Sequence, residues 1–214
     1  MARKRGTHDA RSCRFSPFLT KKIVYLQNTN ATPIMKDIIQ LHDRRFKVMI
    51  SAEEIDRAVE AVATRINADY AACDTPIFLA VLNGSFMFLS DLIKKIDFNN
   101  EISFVKLASY EGTESTGAVK NLIGLNGSIE GRHIVIVEDI VDTGKSIEHM
   151  IELLRAQNPA SVEVCTLFFK PASYQKQIPI KYRAMEIGNE FIVGYGLDYD
   201  QLGRSLKDIY VVNE

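Results

Sequence analysis

The sequence predicts an α/β fold, a mostly parallel sheet flanked by helices on both faces. Three observations predict it. Strand-like and helix-like segments alternate along the chain. The strand-like segments are near-continuously apolar, which marks strands buried on both faces. The acidic and polar segments that interrupt the pattern each follow a strand, and in such sheets ligands bind beyond the carboxyl ends of the strands.

The elements follow in order. Ser51-Ala52-Glu53-Glu54 has the spacing of a capping box, with Ile50 and Ile55 placed to close a staple over it. Ile55, Val59, Val62 and Ile66 then share one helical face. Asp74-Thr75-Pro76 breaks that helix, and Ile77–Leu82 reads as a buried strand ended by Gly84. A second helix is expected over Phe86–Ile96, with Phe86, Leu89, Ile93 and Ile96 inward. Ile102–Leu107 alternates and reads as a strand. Residues 109–128, rich in Gly, Ser, Thr and Asn, read as a mobile loop or loose hairpin. Further strands are expected at Ile134–Glu138, Val162–Phe169, Phe191–Tyr195 and Ile209–Val212, with a helix over 145–157. There is no internal repeat and no low-complexity tract.

The most informative segment runs from Ile134 to Ser146. An apolar strand ends in Glu138 and Asp139, Asp142 follows, and Thr143-Gly144-Lys145-Ser146 opens an amphipathic helix carrying Ile147, Met150, Ile151 and Leu154. Backbone N–H groups of a small polar loop and of a helix N-terminus favour a phosphate. Carboxylates on the rim can accept hydrogen bonds from sugar hydroxyls or hold a hydrated metal. Both together suit a phosphorylated sugar. Gly144-Lys145-Ser146 looks like the end of a P-loop, but that motif needs a glycine where this chain has Asp139. No G-x-G-x-x-G follows the strand, so a dinucleotide fingerprint is absent as well.

Composition sets the outer bounds. The chain has 214 residues, 46% hydrophobic and 25% charged, enough for one good core and a small appended lobe. A net charge of −1 gives no reason to expect a nucleic-acid or membrane partner, and no run of 18 apolar residues marks a membrane span. Cys13, Cys73 and Cys165 are scattered, with no C-x-x-C, which argues for reduced thiols and a cytoplasmic protein. Cys165 lies in an apolar run and is expected to be buried.

Five motifs in order extend the acidic turn. They are Val81-Leu82-Asn83-Gly84, Ser109–Gly117, the turn itself, Phe169-Lys170-Pro171 and Phe191–Tyr199. From about Ile50 to Val212 the chain resembles the type I phosphoribosyltransferases, and among them the hypoxanthine (hypoxanthine-guanine) phosphoribosyltransferases. The resemblance implies a small hood built from parts of 35–50 and 175–214. It also implies purine salvage, with 5-phosphoribosyl moving from phosphoribosyl diphosphate to hypoxanthine and guanine through an oxocarbenium-like transition state. Magnesium is the implied cofactor, and a homodimer or homotetramer the implied assembly.

The resemblance also distributes roles. Thr143, Gly144, Lys145 and Ser146 would hold the 5-phosphate. Glu138 and Asp139 would bind the ribose hydroxyls and orient metal-bound water. Asp142 would be the general base at a purine ring nitrogen. Asn83, Gly84 and Arg204 would bind pyrophosphate, and Ser109 and Tyr110 would begin a loop that closes over the site and excludes water. Lys170, which alone reads as a solvated strand end, would donate to the purine 6-oxo group. Phe191 would stack on the base, Ile192 would offer backbone groups to its edge, and Asp198 would serve as a magnesium ligand or as a partner to the purine's far edge. The metal set would thus be Glu138, Asp139 and Asp198. The family often carries Leu-Lys-Gly, with a cis peptide, where this chain has Leu82-Asn83-Gly84. Asparagine keeps the backbone groups and loses the lysine's charge.

Two rivals differ in class or substrate. A sister enzyme would act on xanthine. A non-catalytic regulator would keep the diphosphate-sugar site as a sensor and bind nucleic acid, but it would show a basic face and would not need Asp142. The only basic stretch is 1–34, where Arg3, Lys4, Arg5, Arg11, Arg14, Lys21 and Lys22 face a single acid within Met1–Lys22, Asp9. A transit peptide, a disordered tail or a true start at Met35 would each account for it. The expected division is a disordered basic extension over 1–34 and a phosphoribosyltransferase domain over 35–214, with removal of residues 1–30 leaving activity intact.

Overall fold

Runs of branched apolar residues become strands here because both of their faces find cover. The structure, a computed structural model, describes residues 38–106 and 127–213. In chain order its elements are β1 (Ile38–Leu41), β2 (Arg44–Ile50), α1 (Ala52–Tyr70), β3 (Ile77–Leu82), α2 (Phe86–Ile93), β4 (Glu101–Lys106), β5 (His133–Val141), α3 (Lys145–Arg155), β6 (Ser161–Phe169), β7 (Tyr182–Glu186), β8 (Ile192–Val193) and β9 (Ile209–Val212). These elements all belong to one compact unit, 36–214.

The larger sheet has the order β4-β3-β5-β6-β7, and every neighbouring pair is parallel. On one face Phe78, Ala80, Val135 and Val137 meet Val59 and Ile66 of α1 and Phe88 and Leu92 of α2. On the other, Leu79, Ile134 and Ile136 meet Met150, Ile151 and Leu154 of α3. Adjacent residues of one strand thus feed two cores, which is why the strands read as unbroken apolar runs. A second, antiparallel sheet of order β1-β2-β9-β8 packs its own cluster around Phe46, Val193 and Tyr210. The Asp208 carboxylate joins this sheet to the start of α1, accepting the Ala52 N–H at 2.8 Å.

Local chemistry sets the ends of the elements. The capping box at Ser51 and Glu54 is made in both directions. α2 stops at Ile93, three residues before the expected end, and Phe86 is 42% exposed while Phe88, Leu89 and Leu92 carry the buried face. β5 runs past Glu138 to Val141, because β6 offers nine residues and pairs with it as far as Val141 opposite Phe169. The strand expected over Phe191–Tyr195 is only Ile192–Val193. Gly194, Tyr195 and Gly196 take φ of 107°, 46° and 103°, outside the extended region. α3 ends at Arg155, short of 157. Strands β1, β2 and β7 go unpredicted, since their short mixed stretches show neither a continuous run nor a clean apolar face. Cys165 is fully buried. The extension over 1–34 and the loop residues Ser109 and Tyr110 lie outside the described residues. Among the described residues no helix is long and apolar enough to cross a membrane.

Candidate active site

Three strand ends of the parallel sheet, β3, β5 and β6, deliver the motifs to one edge. Val81 and Leu82 close β3, and the chain turns through a cis peptide between Leu82 and Asn83. Ser85, fully buried, donates its hydroxyl to the Val81 carbonyl at 2.6 Å and fixes that turn. Gly84 is there because nothing larger fits: a Cβ on it would lie 1.4 Å from Asp139 Oδ2. Its carbonyl in turn occupies the space a Cβ on Gly196 would need, at 2.0 Å. The turn after β3 is therefore sandwiched between the acid of β5 and the 194–196 bend of the smaller sheet.

Glu138 and Asp139 lie within the last four residues of β5 rather than beyond it. Glu138 is buried, and its Oε2 has no hydrogen-bond partner among the described residues. Burial, reinforced by the Asp139 carboxylate, holds its pKa well above the usual carboxylate range. Burial also pushes Asp139 up to about 6, opposed by the Ile140 N–H it accepts at 2.9 Å and by Arg204. Asp198 adds to the rise, which places it within electrostatic reach. Two adjacent acids under strain from burial await hydrogen-bond donors or positive charge.

Arg204 and Asp198 complete this half. Arg204 Nη2 sits 2.6 Å from Asp198 Oδ1, and Nη1 donates to the Gly196 carbonyl at 2.8 Å. The other Asp198 oxygen accepts the Gln201 N–H at 2.8 Å. Asn83 and Lys145 are exposed.

The second half lies around Lys170, at the end of β6. Its ammonium is buried, 3.5 Å from Asp142 Oδ2 and donating to the Glu190 carbonyl at 3.1 Å. The chain then leads directly to Phe191, which is 45% exposed and leans edge-on against Tyr199 with Phe46 behind it. Ile192 is a buried residue of β8 in register with Val211. Tyr199 is anchored by its hydroxyl on Asp43 at 2.7 Å and by the Arg44 guanidinium over its ring.

Between the halves lies the start of α3. Gly144 caps it at φ 82°, and a Cβ there would come within 2.4 Å of the Tyr174 ring. The first N–H groups of a helix have no partner within it, so those of Lys145, Ser146 and Ile147 form a ready anion seat. The Thr143 carbonyl is already engaged by the Gln175 N–H.

The structure thus gathers Asn83, Gly84, Asp139, Asp198 and Arg204 in one group and Asp142, Lys170 and Phe191 in another, joined by β5 and the start of α3. The three acids expected at a metal do not converge: among the described residues no cluster of three His, Cys, Asp or Glu side chains could hold one. The donor set still fits magnesium, which takes oxygen ligands and draws the rest from phosphates and water. The unpaired Glu138 oxygen and the raised Asp139 fit the outer side of such a hydrated ion. Glu190 and Asp43 escape sequence reading, and Gly196 and Tyr199 appear there only as members of the Phe191–Tyr199 motif, with no role of their own.

Comparison with known proteins gives a consistent result. The phosphoribosyl transferase domain model matches residues 51–200. A hypoxanthine-guanine phosphoribosyltransferase of Staphylococcus epidermidis is 40% identical over 171 residues, covering 79% of this chain and 94% of that protein. The bifunctional protein TilS/HprT of Listeria innocua is 36% identical over 191 residues, which are 89% of this chain but 28% of that protein. Among solved structures, a hypoxanthine phosphoribosyltransferase of Staphylococcus aureus superposes with a TM-score of 0.71 at 38% identity, over 78% of this chain and 91% of the other. That of Trypanosoma cruzi gives 0.72 at 34%, over 82% and 95%.

Proposed function

Since the chain belongs to the phosphoribosyl transferase domain family and has the type I fold of its hypoxanthine phosphoribosyltransferase neighbours, we propose that it makes IMP and GMP for purine salvage. It would move 5-phosphoribosyl from the 1-diphosphate to a ring nitrogen of hypoxanthine or guanine. The bond from C1 to the diphosphate oxygen breaks, the bond from C1 to nitrogen forms, pyrophosphate leaves with the electron pair, and the purine gives up one proton. The observation that carries this reading is Lys170, a buried ammonium held 3.5 Å from Asp142 and hydrogen-bonded to the Glu190 carbonyl, one residue before the exposed Phe191. A lysine at a strand end is ordinarily solvated. Here it is buried, paired with a carboxylate and tied to the backbone that leads into an exposed aromatic residue, the groups a 6-oxopurine needs.

Asp142 takes the proton from the purine nitrogen, and Lys170 meets the 6-oxo group and favours it over a 6-amino group, which would set donor against donor. Phe191 offers its face to the base, at ~1–3 kcal/mol for such stacking. Thr143, Gly144, Lys145 and Ser146 receive the 5-phosphate at the start of α3. Glu138 and Asp139 accept the ribose hydroxyls, which answers the unpaired Glu138 oxygen. Asn83 and Gly84 offer backbone groups to pyrophosphate and Arg204 a guanidinium. Ser109 and Tyr110 would help to exclude water as a competing acceptor. Magnesium, held by Asp198 and outer-sphere by Glu138 and Asp139, would neutralise the diphosphate. The protein would work in the cytoplasm as a homodimer or homotetramer.

The test is purified protein with magnesium, the diphosphate sugar and, separately, hypoxanthine, guanine, xanthine and adenine. IMP and GMP are expected, with AMP negligible. Nucleotide from xanthine alone would reassign the substrate, and no nucleotide from any base would end the enzyme reading.

A further inference from the structure

Arg204 and Asp198 are expected to bind different parts of the substrate complex, pyrophosphate and the cation, yet here they bind each other. Arg204 Nη2 lies 2.6 Å from Asp198 Oδ1, with side chains only 23% and 24% exposed, so water screens the pair little. Nη1 is turned back to the Gly196 carbonyl. The remaining Asp198 oxygen caps the Gln201 N–H. Asp200 and Gln201 both take positive φ, 46° and 70°, in a tight hairpin whose flanking Tyr199 and Leu202 exchange both backbone hydrogen bonds. Asp198 therefore holds the hairpin with one oxygen and the guanidinium with the other.

We infer that Asp198 is a latch that stores Arg204 away from pyrophosphate until Asp198 takes a cation. The inference rests on the proposed phosphoribosyl transfer. A positive ion at Asp198 replaces the guanidinium as its partner, and a guanidinium that has lost its carboxylate is the natural clasp for a phosphate. The two events are then coupled. Magnesium raises the affinity of Arg204 for pyrophosphate, and by linkage pyrophosphate raises the affinity of Asp198 for magnesium.

The test measures binding of inorganic pyrophosphate by calorimetry in chelator-treated buffer, so activity is not the readout. Asp198→Asn keeps an oxygen for the Gln201 N–H while discharging the latch. It should bind metal-free pyrophosphate about tenfold more tightly than wild type, the order of ordinary coupling free energies. In an Arg204→Gln background the same substitution should give no gain. A gain that persists without Arg204 would mean simple removal of a negative charge, and an absent gain would mean no storage; either overturns the latch while leaving the enzyme reading standing. Failure of wild type to bind pyrophosphate even with magnesium would overturn both. A second measurement needs no variant: magnesium alone should speed modification of Arg204 by phenylglyoxal, followed by mass spectrometry, and an unchanged rate would also overturn the latch.

Discussion

Replacing Asp139 with asparagine should make the empty protein more stable while disabling it. A carboxyl moved from 3.8 to about 6 costs the folded state about 3 kcal/mol once ionised, at ~1.4 kcal/mol for each tenfold change in acidity. The folded state holds the proton longer than the unfolded chain. The penalty is therefore absent below about pH 4, grows between about 4 and 6, and is complete above 6. Asparagine carries no charge and still offers Oδ1 to the Ile140 N–H. The value of about 6 already contains the attraction to Arg204, so the gain is on the order of 1–3 kcal/mol at about pH 8, or ~2–4 °C in Tm per kcal/mol for a protein of this size. At about pH 4 the gain should fall below ~1 kcal/mol. Ligand-free urea unfolding at the two pH values measures it. With magnesium and the diphosphate sugar at about 100 times Kd, wild type should gain ~2.7 kcal/mol and the variant far less. A variant less stable than wild type at the higher pH, or an equal gain at both, would refute the assignment of Asp139 as a carboxylate strained by burial and kept for its ligand.

Three further outcomes follow from the same geometry. Gly84→Ala should displace Asp139, since the new Cβ would lie 1.4 Å from its Oδ2; calorimetry should show at least ~10-fold weaker diphosphate-sugar binding, the scale of one lost charged contact. Lys170→Gln should raise KM for hypoxanthine by ~10–100-fold, the value of a charge-assisted hydrogen bond, and narrow the preference over adenine in steady-state assays with both bases. Gly144→Ala, forced to φ 82° against the Tyr174 ring, should lose ~1–2 kcal/mol of stability from the backbone alone in thermal unfolding, and should raise KM for the diphosphate sugar.

The parallel sheet was legible because its strands are buried on both faces, so Ile77–Leu82 and Val162–Phe169 stand out against the helical periodicity of Ile55–Ile66. The capping box at Ser51 and Glu54 was legible because its signal is local. Strands β1, β2 and β7 were not. Among the described residues β2 finds β9 far along the chain, β1 pairs only with β2 and β7 only with β6, and each exposes mixed side chains, so neither period nor apolarity betrays it. The same logic governs the site. Glu138, Asp139 and Asp142 announce themselves as acids crowded at one strand end. What burial does to Glu138 and Asp139 is invisible in the sequence, because it depends on Gly84 and Gly196 closing from elsewhere. Phe86 reads as a core residue by spacing and proves 42% exposed, because α2 begins at it and turns Phe88, Leu89 and Leu92 inward. The pairing of Arg204 with Asp198 is likewise a fact of tertiary position, set by the hairpin between Tyr199 and Leu202.

The central claim is that Asp142, beside Lys170, moves the purine proton in phosphoribosyl transfer. Single-turnover formation of IMP by Asp142→Asn tests it most directly, with diphosphate-sugar affinity measured in parallel. The account predicts a rate lower by ~10²–10⁴-fold with that affinity little changed. A rate close to wild type would contradict it.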